Sequence, residues 1–148
     1  MKIKQTLKIL SHLKWLFLVW MIVLIIQVFL SVPNIEISQI GAAIFLSGIF
    51  MGLESLGDSY SLSEREKKFY SQKKIVKIQG SIITTGAILL FIISLFFLSL
   101  KFLFPQMDAE LLNDFSDLAY DCLAMMLGFL CLLKQIRDKE LAYKSLDI

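Results

Sequence analysis

The chain has 148 residues, of which 57% are hydrophobic, with a mean hydropathy of +0.71 and a formal net charge of +2. That length holds one domain, and an apolar content so far above that of soluble proteins excludes a water-soluble globular fold. The charge that remains is sorted along the chain: of fifteen Lys and Arg residues, all but Lys101 fall in three stretches.

The three basic stretches are the N-terminus (Lys2, Lys4, Lys8, Lys14), a middle connection (Arg65, Lys67, Lys68, Lys73, Lys74, Lys77) and a tail (Lys134, Arg137, Lys139, Lys144). Loops rich in Lys and Arg stay in the cytoplasm, so both termini and the middle connection are expected inside. Between them lie four apolar segments, 15–32, 38–57, 78–100 and 114–133. Each is close to the about 20 residues a helix needs to cross a hydrocarbon core of about 30 Å. The expected fold is therefore all-α and polytopic: one four-helix transmembrane domain over 1–148, built as two antiparallel hairpins, N-in and C-in, in the bacterial inner (cytoplasmic) membrane. A cytoplasmic loop at 58–77 and a tail at 134–148 leave no room for a separate soluble domain.

In chain order, residues 1–14 place Ile3, Leu7, Leu10 and Leu13 between lysines, the spacing of a short amphipathic helix lying on the membrane surface. The first span follows, with Trp15 as an interfacial anchor. It is rich in Leu, Ile, Val and Phe, and its character is lipid-facing. It is longer than a signal-peptide core and no A-x-A-like cleavage site follows, so it reads as a retained anchor. Pro33-Asn34 then opens a short outer turn containing Glu36. The second span carries Ser38, Gly41, Gly48, Gly52 and Ser55 on one face, with Gly48 and Gly52 in a G-x-x-x-G motif. Lipid gives helices no hydrophobic reason to associate, so such a face marks close helix packing, within one copy or between copies.

In the middle loop, Ser63 and Glu66 have capping-box spacing, and Glu64 and Lys68 stand i,i+4. A short charged helix is expected, with Phe69 and Tyr70 at the interface. Arg65, Lys67, Lys68, Lys73 and Lys74 make this loop the candidate contact for anionic lipid or for a cytosolic protein partner. It lacks the aromatic interleaving of a nucleic-acid platform. The third span places Gly80, Thr84, Ala87 and Ser94 on one face, suited to packing on the second span. It ends at Lys101 and Pro105.

The fourth span carries a line of carboxylates. Its apolar core, Leu118 to Leu133, covers only about 24 Å at 1.5 Å per residue, so the helix must start earlier and draw acids toward the hydrocarbon. Glu110, Asp114, Asp117 and Asp121 stand at i, i+4, i+7 and i+11, within an arc of about 60°. An ionised group at the bilayer centre costs at least about 2.5–3.5 kcal/mol, so this face must meet water, a cation, a basic partner or a proton. Three readings fit: a solubilised helix end, an acidic vestibule that concentrates cations at a pore mouth, and a docking face for a basic partner. Glu54, at the inner end of the second span, is a separate acid near the membrane.

Nothing points to catalysis. Cys122 and Cys131, nine residues apart, face opposite sides of one helix, and the single histidine, His12, lies at the membrane surface. No triad, phosphate loop or metal-ligand spacing is present, so no enzyme activity, metal or cofactor is expected. The expected function is a small non-enzymatic membrane protein that self-associates, as a homo-oligomer, into a cation-conducting channel with Glu110, Asp114, Asp117 and Asp121 at its outer mouth. Gly41, Gly48, Gly52, Gly80, Thr84 and Ala87 are its expected packing positions. The alternative is an anchor, regulatory, effector or immunity subunit that holds a cytosolic partner through the basic loop and tail. A small transporter using Glu54 or Asp121 is the third option.

Overall fold

A computed structural model describes residues 12–31, 36–56 and 62–146, and these form five helices with no strand among the described residues. They are α1 (Lys14–Leu30), α2 (Ile37–Ser55), α3 (Glu64–Tyr70), α4 (Lys73–Leu103) and α5 (Ala109–Leu146). By length and composition α2, α4 and α5 are able to cross a membrane. α1 is apolar but has 17 residues, or about 26 Å of helix. The amphipathic helix expected over residues 1–14 and the first outer turn at Pro33-Asn34 lie outside the described residues, as does most of the stretch leading into α3.

The helix ends follow local chemistry. α3 starts at a capping box: the Ser63 hydroxyl accepts from the Glu66 N–H, and the Glu66 carboxylate accepts from the Ser63 N–H (2.9 Å). Its i,i+3 neighbour Lys67, rather than Lys68, pairs with Glu64 (2.6 Å). α4 stops at Leu103, two residues before Pro105, because the residue ahead of a proline is driven out of the helical region. At the start of α5 the Asp108 carboxylate accepts from the Glu110 N–H (3.0 Å), in the manner of an N-cap. The fourth apolar segment thus gains its missing length at its N-terminal end, and also at the other: α5 runs unbroken for 38 residues, through the segment expected to be a cytoplasmic tail.

α5 is the hub. It packs against α2 on one side and α4 on the other; α1 packs only on α2, and α2 and α4 do not touch among the described residues. The small-residue face of the third span therefore meets α5 and not the second span. Ala87 and Ser94 are buried there, and the Ser94 hydroxyl donates to the Ala119 carbonyl (2.9 Å). The four long helices form an open row, α1–α2–α5–α4, and not a closed bundle. Large apolar side chains along α1, on the outer faces of α4 and on the back of α5 are exposed, among them Trp15, Phe29, Ile82, Ile92 and Leu127. In water that surface would be prohibitive; in hydrocarbon it costs nothing.

Candidate functional site

The acidic face of α5 is the same face that packs on α2. At its centre the backbones of the two helices meet: a Cβ on Gly128 would stand 2.5 Å from the Gly48 carbonyl oxygen, and one on Gly48 would stand 2.6 Å from the Ala124 carbonyl oxygen. Two turns toward the start of α5, the Asp121 carboxylate lies directly on Gly41, in the space a side chain would fill, with Leu118 beside it. Gly41 is thus the seat of a carboxylate. Asp117 and Glu110 are exposed and Asp114 is half-buried, toward the end where α2 begins at Ile37. Among the described residues none of these four carboxylates is in an ion pair, and Lys101 is exposed at the end of α4 without one. The acids run along the helix and do not converge; no three His, Cys, Asp or Glu side chains come together as a metal site among the described residues.

The other expected packing positions divide. Ala87 is buried against α5, whereas Gly52 and Gly80 face open space and Thr84 is exposed, its hydroxyl turned back to the Gly80 carbonyl (2.8 Å). Two close approaches were not anticipated. Gly86 faces the Phe129 ring, 2.9 Å from its would-be Cβ, and Phe97 stacks on Phe115 with centroids 5.5 Å apart. For the first, the available signal was that Gly86 directly precedes Ala87, which stands i+7 from Ser94 on the small-residue stripe. α1 is held to α2 by Lys14, which pairs with Glu54, and by Ser47, whose hydroxyl lies 2.9 Å from the Met21 sulfur. Glu54 is therefore committed to a base, and its carbonyl accepts from the Gln135 side chain of α5 (3.2 Å). That bond satisfies one of the orphan carbonyls at the end of α2.

At the end of the row that carries the basic stretches, α3 folds against the extension of α5. Lys139 pairs with Glu66 (2.5 Å), and Tyr70 is buried, its ring edge-on to Phe69 at 5.4 Å. The Lys139 ammonium, together with the Ser63 N–H, holds the Glu66 carboxyl down at about 2. Burial, with the Glu66 and Glu140 carboxylates nearby, pushes the Tyr70 phenol up. Of the residues expected to contact lipid or a partner, Arg65, Lys68, Lys73 and Lys74 are exposed, while Lys67 is tied to Glu64. Comparison with protein-family models, with curated proteins and with solved structures finds no match to this chain.

Proposed function

We propose that the chain is a non-enzymatic, four-span integral membrane protein, with both ends and the α3 segment in the cytoplasm, that self-associates and gathers cations at an acidic outer face. The observation that carries this reading is the open row. Among the described residues α2 and α4 do not meet across α5 and α1 is attached by one side only, so these helices of one copy enclose no channel. Uncovered helix faces in lipid are satisfied equally by acyl chains or by another copy, and Asp114, Asp117 and Glu110 line the outer end of the one seam where charge enters the membrane. Copies arranged about that seam would place a ring of carboxylates at the mouth of a cation path. The protein reconstituted in vesicles should then be oligomeric and pass cations, with flux reduced by Asp117→Asn and Asp121→Asn. A strictly monomeric protein with no flux, unchanged by either substitution, would overturn the reading.

A second reading rests on a different observation, the clamp of α3 on α5 through Glu66 and Lys139. It supports a cytoplasmic head of fixed shape on a membrane anchor, suited to holding a soluble partner. Substitution of Arg65 and Lys68 by Glu should then abolish co-purification of that partner while leaving cation flux unchanged. The transporter option has less support: Glu54, one of its two carboxylates, is engaged by Lys14.

A further inference from the structure

The ion pairs sort the basic side chains into two sets. Lys14, Lys67, Lys139 and Lys144 are matched to Glu54, Glu64, Glu66 and Glu140. Among the described residues the other Lys and Arg side chains at this end are Arg65 and Lys68 on α3, Lys73, Lys74 and Lys77 on α4, and Lys134 and Arg137 on α5. All are exposed and none is in an ion pair with a described residue. Against these seven stands one described acid without an ion pair, Asp138. Positive charge is thus left over, and the contacts between α4 and α5 show where it concentrates.

The register of α4 on α5 is antiparallel, with Ser94 against Ala119 and Gly86 against Phe129. Carried inward, it brings Lys77 level with Arg137 and Gly80 level with Lys134. Gly86 and Phe129 meet on one flank of this seam. At about 100° per residue, Lys73, Lys77, Gly80 and Thr84 run in one line down the opposite flank of α4. Lys134, Leu130 and Leu127 lie on the corresponding flank of α5, well away from Phe129. α3 touches both α4 and α5, and Lys139, which holds it to α5, stands about 140° around that helix from Lys134. By this helix geometry the two flanks stand side by side and bound a shallow trough. Its inner rim is basic, its floor holds the small residues Gly80 and Thr84, and its walls continue outward as the exposed Ile88, Leu127 and Leu130.

We infer that this trough is a binding site for an anionic phospholipid, with the phosphate held by Lys73, Lys77, Lys134 and Arg137 and an acyl chain laid over Gly80 and Thr84. The inference rests on the four-span reading, with this end of the row in the cytoplasm. Charge complementarity selects an anion. Level selects a lipid: Lys77 directly precedes the apolar stretch that starts at Ile78, and Lys134 directly follows Leu133, so the bases sit where headgroups begin. α4 also opens with lysines and no acid in its first turn, adding side-chain charge to the positive end of the helix. An anion at the rim relieves that repulsion. The small-residue flank of α4, which leaves Gly80 open and Thr84 exposed, thereby gains an occupant.

The test uses the full chain in a neutral detergent, titrated with dioctanoyl phosphatidylglycerol or dioctanoyl phosphatidylcholine, with binding read by native mass spectrometry and by the shift in unfolding temperature. The parent should prefer the phosphatidylglycerol, and the combined Lys73→Gln, Lys77→Gln, Lys134→Gln and Arg137→Gln variant should bind it about tenfold more weakly. If that variant fails to fold, Lys77→Gln with Arg137→Gln should lose a smaller share in the same direction. Lys67→Gln with Lys144→Gln removes two charges already matched by acids and should change nothing. Equal binding of the two lipids, an equal loss in this control, or displacement of the phosphatidylglycerol by inorganic phosphate or an oligonucleotide would overturn the lipid site. Orientation is read separately, by labelling Ser145→Cys with an impermeant maleimide in spheroplasts. Labelling from outside would overturn the four-span reading without altering lipid preference in detergent.

Discussion

The two seams that α5 makes are built on different principles. Against α2 the central contact is backbone to backbone, Gly48 on Gly128, with the Asp121 carboxylate lodged over a third glycine and the Gln135 side chain bonded to the Glu54 carbonyl nearer one end. Against α4 the contact is made through side chains: Phe97 on Phe115, the Phe129 ring over Gly86, and the fully buried Ser94 hydroxyl bonded to a carbonyl. A backbone contact gains dispersion and weak C–H···O bonds at short range but has no slack, since neither main chain is able to move aside. A side-chain contact gains from area and absorbs small changes by rotation of a ring. The α2 seam should therefore be brittle and the α4 seam forgiving.

The hardest blow to that contrast is a side chain at the crossing. Gly128→Val or Gly48→Val forces Cβ and its methyls into a carbonyl group, and is expected to cost about 3 kcal/mol or to separate α2 from α5. Reversible unfolding in mixed detergent, read with a label on each helix, measures it. Next comes the clamp outside both seams, which serves as their control. The Glu66 carboxyl titrates in the folded state at about 2 against an ordinary 4.5. Its stabilisation is thus fully present above the ordinary value and is lost as pH falls from 4.5 toward 2. Because Glu66 is partly exposed and its charge is screened, Glu66→Gln is expected to cost on the order of 1 kcal/mol at neutral pH, converging with the parent as pH approaches the lower value.

Within the α4 seam, Ser94→Ala removes one hydrogen bond and should cost about 0.6 kcal/mol, the usual worth of such a bond between membrane helices. Gly86→Ala meets only the edge of the Phe129 ring, which rotates aside, so the change should stay within about 0.5 kcal/mol. A cost for Gly86→Ala as large as that for Gly128→Val would abolish the distinction between the seams. Smallest of all, Gly52→Ala and Gly80→Ala enter open space and should leave stability unchanged within about 0.5 kcal/mol.

Much of the helical layout was legible in the residues, because hydrocarbon thickness and backbone satisfaction leave few options to an apolar run. The capping box at Ser63 and Glu66 was legible for a similar reason: it is local chemistry complete within four residues. Partner choice was not. A stripe of small residues says that a helix face allows close approach, but not which helix approaches it. Gly80, Thr84, Ala87 and Ser94 lie on one stripe, yet only Ala87 and Ser94 fall where α5 passes. Gly52 shares a motif with Gly48 but lies beyond the crossing point. The pairing of Lys14 with Glu54 was also within reach, since Lys14 opens α1 and Glu54 lies in the last turn of the adjacent α2. Glu64 took Lys67 in place of Lys68 because both spacings lie on one helix face and rotamers decide between them.

The position of the glycine crossing on α5 has a mechanical consequence. Gly128 falls at the middle of a helix that runs from Ala109 to Leu146, with about 28 Å of rod on either side. A stiff rod held at its midpoint is a balanced lever. A tilt of about 5° about that point would carry each end about 2.5 Å, by simple geometry on those arms. The carboxylates of one arm and the Lys139 attachment of the other would swing by similar amounts in opposite directions.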